Sequence, residues 1–192
     1  EELRLIIAES EEGGAIEPNE RELIQNVFDF DDRIVRQVMV PRVKISGLRS
    51  DLSITDTMDV VLKEGYSRYP VYENSLDDII GIVHAKDIIT AYVQKSEKGL
   101  KDVMRQAHFI PESKPIDVLL REFQRRKTQM AIVVSEFGGT IGIVTLEDIL
   151  EEIVGEFTTD IADQVNKDVS PSNDGHVLVE GGAAIRDLVR SQ

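Results

Sequence analysis

The sequence predicts an α/β fold built from two copies of one β-α-β-β-α unit, related by a pseudo-two-fold axis. A shift of 61 residues superposes residues 53–90 on residues 114–151 without a gap. The strings "GIVHAKDII" (81–89) and "GIVTLEDIL" (142–150) are each typical of a buried strand that runs into a helix. A unit of about 60 residues buries little apolar surface by itself. We therefore expect the two copies to pack against each other.

The elements of the two copies follow one another in the same order. Each copy has a helix that carries Asp56 or Asp117 in its first turn, where a carboxylate suits the helix dipole. Apolar residues at helical spacing predict the buried face of this helix: Met58, Val61 and Leu62 in the first copy, and Leu119, Leu120 and Phe123 in the second. The strand "RYPVYE" or "MAIVVSE" comes next, followed by a turn, a second strand and a second helix.

An acidic segment, residues 1–33, precedes the repeats. It reads as two helices separated by Gly13 and Gly14, with Pro18 suited to the first turn of the second helix. Eleven Asp and Glu against three Arg make these helices too polar to form a core of their own. We interpret them as a lead-in from another region of a longer protein.

The remaining boundaries follow from the repeat. We assign the first copy to residues 34–98 and the second to residues 99–158. Residues 159–192 read as a linker followed by a strand at 176–180, a Gly-Gly turn and the start of a helix. A lone β-α stub cannot close a core, so we interpret this tail as the beginning of a truncated domain.

Composition excludes several classes of function. The net charge of −14 argues against a nucleic-acid surface, and the absence of cysteine excludes a disulfide framework and thiolate metal sites. No apolar run approaches the length of a membrane span, and no secretory signal is visible, so we expect this segment to be soluble. No nucleophile, general base or metal-ligand cluster stands at catalytic spacing, so we do not expect an enzyme.

Two segments are candidates for a binding site, and the residues alone leave two interpretations open. Thr145 and Asp148 lie where a strand gives way to a helix, so they can cap the helix or contact a sugar and its phosphates. The string "GYSRYP" (65–70) can be a loop at a sheet edge. It can also supply Arg68, whose guanidinium matches phosphate oxygens.

Four strings carry a resemblance to a known family: "VMVPR" (38–42), "GYSRYPVY" (65–72), "PESKPIDVLLREFQ" (111–124) and "MAIVVSEFGGTIGIVTLEDILEEIVGE" (130–156). The tandem pattern resembles a CBS-domain pair, or Bateman module. The strings themselves resemble the CorC/hemolysin-C-like family of bacterial magnesium and cobalt efflux proteins, which is similar to the animal cyclin-M metal transport mediators.

The resemblance implies a function. Members commonly carry an N-terminal transmembrane domain, with the CBS pair on the cytoplasmic side of the bacterial inner membrane, and many end in a small transporter-associated domain. Their CBS pairs form homodimers and bind adenine nucleotides, ATP with Mg²⁺ or AMP, as a regulatory signal. The resemblance thus implies a non-catalytic, membrane-associated regulatory module, with any Mg²⁺ held through nucleotide phosphates rather than by a direct protein site.

The same resemblance assigns candidate site residues. One nucleotide is expected to lie between Asp148, which accepts hydrogen bonds from ribose hydroxyls, and the first-copy segment with its phosphate-binding arginine. The predicted nucleotide-binding residues are Val40, Val43, Tyr66, Ser67, Arg68, Tyr69, Pro70, Thr145 and Asp148. A mirror site is expected to be weak or empty, because Gln129 stands in place of the arginine; its residues are His84, Asp87, Gln129, Met130 and Ala131.

Two rival functions remain at this point. The first is a CBS pair that has lost its ligand and serves only as a dimerisation scaffold. The second is a hemolysin-type toxin, for which the sequence shows neither a signal nor a membrane-active amphipathic segment. The sequence leaves open ATP versus AMP, the cation moved, the direction of transport, and whether the nucleotide activates or inhibits.

Overall fold

The computed structural model describes residues 16–96 and 99–155, with Ile6, Ser10 and Gly14 before them and the backbone of residues 169–171 and 177–179 after them. None of the helices within these residues is both long enough and apolar enough to cross a lipid bilayer. The chain divides into two units, residues 1–153 and 154–192.

The elements of the first unit occur in the predicted order. The elements are α1 (Pro18–Phe30), α2 (Val35–Val38), β1 (Val40–Pro41), a 3-10 turn (Arg42–Lys44), β2 (Leu48–Arg49), α3 (Ile54–Glu64), β3 (Arg68–Tyr72), β4 (Ile79–His84), α4 (Ala85–Val93), α5 (Leu100–Val103), β5 (Phe109–Pro111), α6 (Ile116–Arg126), β6 (Met130–Val134), β7 (Thr140–Thr145) and α7 (Leu146–Val154).

Each repeat has its own sheet, and the predicted β-α-β-β-α fold is confirmed. In the first copy β2 runs parallel to β3, which pairs antiparallel with β4. In the second copy β5 runs parallel to β6, which pairs antiparallel with β7. Helices α3 and α6 have 11 residues each, and α4 and α7 have 9 each, so the two copies match element by element.

The leading segment of each copy, which precedes α3 in the first and α6 in the second, pairs with a strand of the other copy. Strand β1, in the leading segment of the first copy, pairs antiparallel with β7 of the second. Arg105, in the leading segment of the second copy, forms an isolated bridge with Ile82 of the first. Gly142 and Gly81 allow this close approach, because a Cβ atom would lie 2.7 Å from the carbonyl oxygen of Val40 at Gly142 and 2.9 Å from that of Arg105 at Gly81.

Three apolar clusters hold the unit together. One lies within the first copy around Tyr69 and Ile88, and another lies within the second around Phe123 and Ile149. The third lies between the sheets and joins residues of both copies: Ile79, Ile82, Met130, Ile132 and Ile143. The expected packing of the copies against each other is therefore confirmed, and this apolar contact keeps residues of the two hairpins side by side.

The prediction that Leu62 lies on the buried face of α3 is wrong. Leu62 is 70% exposed, whereas Ile54, Thr57 and Val61 form the buried stripe of the helix. The hydroxyl of Thr57 donates to the carbonyl oxygen of Ser53 at 2.8 Å, so this polar residue can be buried at no cost in lost hydrogen bonds. The apolar pattern of the sequence did not include this threonine.

The lead-in helix α1 begins at Pro18, as predicted, and its last residue, Phe30, packs into the core of the second copy. The other predicted helix of residues 1–33 lies outside the described residues, except for single positions within it. In the second unit, Val169–Pro171 (β8) and Val177–Val179 (β9) pair antiparallel. Strand β9 falls within the predicted strand at 176–180, and the predicted helix start lies outside the described residues.

Candidate functional site

A cavity of about 340 Å³, which we call the first cavity, is lined by both copies, including the leading segment of the first. Its lining combines apolar side chains with cations, hydroxyls and carboxylates: Val40, Lys44, Ser46, Tyr66, Ser67, Arg68, Met130, Ile143, Thr145, Glu147 and Asp148. The ends of two hairpins meet here, since Arg68 pairs with His84 in one sheet and Met130 pairs with Thr145 in the other.

Thr145 and Asp148 form a reciprocal cap at the start of α7. The backbone N–H and the hydroxyl of Thr145 donate to Asp148 Oδ2 at 2.6 and 2.7 Å, and the backbone N–H of Asp148 donates to Thr145 Oγ1 at 3.2 Å. Within the part of the chain that the structure describes, Asp148 Oδ1 accepts no hydrogen bond. The capping role is therefore present, and one carboxylate oxygen stays available to a ligand.

Arg68 lies at the start of β3 with a side chain that is only 14% exposed. One terminal nitrogen donates to Glu147 Oε1 at 3.2 Å, and the other donates to the side-chain oxygen of Gln129. Its Nε is buried and has no hydrogen-bond partner among the described residues. The guanidinium is thus held between the two copies, and its Nε–H has no acceptor among the described residues.

The aromatic residues of the first-copy segment differ in their surroundings. Tyr66 is about half exposed at the first cavity, and its backbone N–H donates to the hydroxyl oxygen of Tyr69 at 3.0 Å. Tyr69 is fully buried, and this burial raises the pKa of its phenol. The two rings meet edge to face with centroids 5.9 Å apart, which fixes the Tyr66 ring against a rigid neighbour.

The structure brings six of the nine predicted nucleotide-binding residues to the first cavity: Val40, Tyr66, Ser67, Arg68, Thr145 and Asp148. It does not bring Val43 there, because the 3-10 turn leaves that side chain 92% exposed and puts Lys44 at the cavity instead. Tyr69 and Pro70 lie in β3 with buried side chains outside the lining.

Five lining residues were not among the predicted nucleotide-binding residues: Lys44, Ser46, Met130, Ile143 and Glu147. Ile143 lies at the centre of the repeated "GIV" string, so the repeat itself could have pointed to it. Lys44 ends the short turn and Ser46 lies just after it, and the geometry of this turn has no signal in the sequence.

A second cavity of about 210 Å³ shares Arg68 and Met130 with the first. Its lining holds four cations and no carboxylate: Arg68, Ile82, His84, Arg105, Gln106, Arg126, Lys127, Thr128, Gln129 and Met130. Of the predicted mirror-site residues, His84, Gln129 and Met130 line this cavity, whereas Asp87 and Ala131 do not.

The weak or empty mirror site stays a prediction, although cations from both copies line this cavity. Gln129 occupies the position in the second copy that is equivalent to Arg68 in the first. The side chain of Arg68 itself donates a hydrogen bond to the side-chain oxygen of Gln129. Arg105 lies outside the aligned stretches 53–90 and 114–151, and Arg126 lies within them at the position equivalent to Gly65.

The two equivalent aspartates have different partners. Asp87 Oδ2 accepts a hydrogen bond from Arg105 at 3.0 Å, whereas Asp148 interacts with its own capping threonine. His84 stands in the place of Thr145 and makes no capping hydrogen bond. Burial lowers the pKa of the His84 imidazole, and the nearby Arg105 and Arg68 lower it further, as expected of a positive environment. Within the described residues, no group of three or more His, Asp or Glu could hold a metal ion.

Two β-α-β-β-α repeats that share a cleft are the architecture of a CBS-domain pair. The chain belongs to the CBS-domain family, because a family model of the CBS domain matches residues 35–94 and 100–155. Within that family it is similar to the CBS domains of CNNM/CorC Mg²⁺ transporters, so the resemblance noted in the sequence is confirmed.

Curated and solved relatives support this placement. UPF0053 protein YrkA of Bacillus subtilis (strain 168) is 39% identical over 98% of this chain, which spans 44% of the length of YrkA. The CBS domain of a bacterial CNNM/CorC family Mg²⁺ transporter is 41% identical with a TM-score of 0.76, over 81% of this chain and 96% of that one.

Two solved relatives contain nucleotides. A CBS domain of the bacterial CNNM/CorC family in complex with ATP is 39% identical with a TM-score of 0.69, over 73% of this chain and 100% of that one. A CBS-domain pair with bound AMP from Klebsiella pneumoniae is 34% identical with a TM-score of 0.54, over 64% of this chain and 98% of that one.

Proposed function

We propose that this chain is the adenine-nucleotide-sensing regulatory module of a CorC-like divalent-cation transport or efflux protein, on the cytoplasmic side of the membrane. The observation that carries the proposal is the first cavity, which joins apolar walls, an available carboxylate oxygen and a buried guanidinium. The ATP and AMP complexes of its solved relatives support the same ligand class.

The lining suggests a role for each group. The cavity volume of about 340 Å³ lies within the range of small-molecule sites. Val40 and Ile143 provide apolar walls for a purine, and Asp148 Oδ1 can accept hydrogen bonds from ribose hydroxyls. Arg68 can donate to a phosphate oxygen, with Ser67 as a further polar contact.

Mg²⁺ would act through the nucleotide in this proposal. Glu147 holds Arg68 and is 64% exposed, so its carboxylate faces the region where we place the phosphates. A carboxylate beside phosphate oxygens is repulsive unless a cation neutralises them. We therefore expect ATP to bind better with Mg²⁺, whereas AMP, with fewer charges, depends on it less.

Helix α7 offers a path from the nucleotide to the lead-in helix. Its first turn holds Asp148 at the first cavity. Near its other end, the carbonyl oxygen of Ile153 accepts a hydrogen bond from the side chain of Asn26 at 3.3 Å, and Glu152 forms an ion pair with Arg33. A ligand that favours one position of α7 would bias α1, and through it a transmembrane domain of the full-length protein.

A homodimer is part of the same proposal. Ile89 on α4 and Leu150 on α7 occupy equivalent positions in the two copies, and each side chain is about 40% exposed. Tyr92 and Val93 extend the exposed apolar surface of α4. Exposed apolar side chains on equivalent helices favour a symmetric contact with a second copy of this chain. Sedimentation equilibrium of the wild type and an Ile89→Lys variant tests this part, and a wild-type monomer at all concentrations would contradict it.

Isothermal titration of the intact chain with AMP, and with ATP in the presence and absence of Mg²⁺, tests the nucleotide site. Asp148→Ala should weaken AMP binding by about tenfold or more, since hydrogen bonds to a charged group contribute about 1.5–3 kcal/mol. Asp87→Ala is the matched control, because it removes the equivalent carboxylate from outside the first cavity. It should leave AMP binding unchanged.

The outcomes separate the rival functions. If the wild type binds neither nucleotide while remaining a dimer, the ligand-free scaffold replaces our proposal. If both aspartate variants bind AMP as the wild type does, nucleotide binding stands but its assignment to the first cavity is wrong. The melting temperature of each variant shows whether a loss of affinity reflects a loss of folding.

A further inference from the structure

The second cavity concentrates positive charge in a chain whose net charge is −14. Arg105, Arg126 and Lys127 line it together with Arg68, and no carboxylate does. Basic residues in the last turn of α6 suit the helix dipole, which is a sufficient structural reason for Arg126 alone. That reason does not extend to Arg68 or Arg105, which come from β3 and from the segment that follows α5. These two arginines pair with Glu147 and Asp87, respectively, which lie outside the lining.

Two buried polar atoms in the lining lack a hydrogen-bond partner within the described part of the chain: Arg68 Nε and Thr128 Oγ1. A buried polar group without a partner destabilises the folded state, because it has lost its hydrogen bonds to water. Both residues line the second cavity, so an anionic ligand there could satisfy the two atoms at once. The lining of the second cavity thus combines polar atoms that lack a hydrogen-bond partner among the described residues with a surplus of positive charge.

The size of the second cavity limits its occupant. About 210 Å³ is below the usual range for sites that enclose a drug-sized molecule. It is suited to a compact anion rather than to a second complete nucleotide. Since Arg68 lines both cavities, an anion in the second lies next to the phosphate position that we assign in the first.

We propose that the second cavity binds phosphate groups, namely the terminal phosphates of the nucleoside triphosphate whose adenosine occupies the first cavity. This inference rests on the proposed function and extends it: Arg126 and Lys127 would discriminate a triphosphate from a monophosphate. Arg68 bridges the two cavities and contacts the phosphate chain in both ligands. An unattached phosphate compound has the same chemistry, and the experiment distinguishes the two sources.

The test compares ATP with AMP, both titrated with excess Mg²⁺, in a double variant Arg126→Gln, Lys127→Gln. ATP affinity should fall about tenfold or more, as expected for lost hydrogen bonds between charged partners, while AMP affinity changes by less than about twofold. Arg125→Gln is the matched control. It removes one positive charge, where the double variant removes two, from the same end of α6 but does not line the cavity, so it should affect ATP and AMP equally and by less than about twofold.

Inorganic pyrophosphate, titrated into the wild type saturated with AMP, identifies the source. Binding that the double variant abolishes, with ATP affinity unchanged, would support a phosphate site filled by a separate compound and overturn the terminal-phosphate assignment. Equal losses for ATP and AMP, or no change in either together with no pyrophosphate binding, would overturn the inference. AMP binding that depends on Asp148 would still uphold the first cavity in that case. If neither nucleotide binds, the proposed function fails, and the pyrophosphate titration alone decides the second cavity.

Discussion

Replacement of Gly142 by alanine tests the exchange of leading segments between the two copies and its link to the first cavity. A Cβ atom at this position would lie 2.7 Å from the carbonyl oxygen of Val40 and 2.8 Å from the sulfur of Met39. The methionine can change its rotamer. The carbonyl cannot move alone, because β1 is paired with β7 in the register that joins Val40 to Ile143.

The expected cost follows from these contacts. Overpacking of a close contact costs about 1–3 kcal/mol, and the backbone contact puts Gly142→Ala in the upper half of that range. Displacement of β1 adds about 1 kcal/mol for each backbone hydrogen bond lost. A total of about 3 kcal/mol corresponds to a melting temperature roughly 6–12 °C lower for a chain of this size. Since Val40 lines the first cavity, AMP binding should weaken as well.

Two other glycines provide the controls for this experiment. At Gly139 the nearest atoms to a new Cβ lie at 3.5 and 3.8 Å, an ordinary contact distance, so Gly139→Ala should leave the melting temperature unchanged. Gly81→Ala should destabilise as much as Gly142→Ala, because it meets Met104 and the carbonyl of Arg105, but it should spare AMP binding. Differential scanning calorimetry and AMP titration measure both effects. If Gly142→Ala melted within about 2 °C of Gly139→Ala, the backbone contact would not constrain the fold as we argue.

Two further predictions concern a helix cap and a partly buried histidine. Ser53 caps α3 by accepting a hydrogen bond from the backbone N–H of Asp56 at 3.1 Å, so Ser53→Ala should lower the free energy of unfolding by about 1 kcal/mol. Ser53→Thr keeps the cap, and an equal loss in chemical denaturation would contradict the assignment. The His84 pKa is lowered in the folded state, so the unfolded chain binds more protons as the pH falls below about 6.5 and stability decreases with acidification. His84→Gln should lose less stability than the wild type between pH 7.5 and 5.5; equal losses would mean that His84 does not titrate as we infer.

The repeat pattern was sufficient to predict the fold because it combines two kinds of information. Matching "GIV" strings followed by an aspartate indicate buried strands that end in capped helices, and Gly142 and Gly81 lie where those strands meet another segment. The pattern did not predict which segment that is. Strand β1 and the bridge at Arg105 are short and irregular, and their pairing partners are distant in the sequence. Hydrophobic periodicity therefore contains no signal for the exchange.

The candidate site shows the same division between local and distant information. Thr145, Asp148 and Arg68 were predicted from motifs in which the functional groups are close in sequence. Val43 was misplaced because a single 3-10 turn decides which side of the chain faces the cavity. The positive second cavity was missed for a different reason. The comparison of aligned repeats considered substitutions at the predicted site positions, whereas Arg105 lies outside the aligned stretches and Arg126, at the end of α6, was not one of those positions.

The pseudo-two-fold axis also explains why two similar cavities should differ in their ligands. Equivalent aspartates begin α4 and α7, but Asp87 is neutralised by Arg105 while Asp148 has no basic partner among the described residues. A ribose needs an acceptor that is not already paired, so only the Asp148 end is suited to a nucleoside. On the side of Asp87 lies the second cavity, which is smaller and is lined by cations, so it is suited to phosphate. Arg68 lies between the two cavities, so a single elongated ligand can use the asymmetry of both. The affinity for such a ligand would then depend on the relative position of the two copies. A nucleotide sensor requires this property.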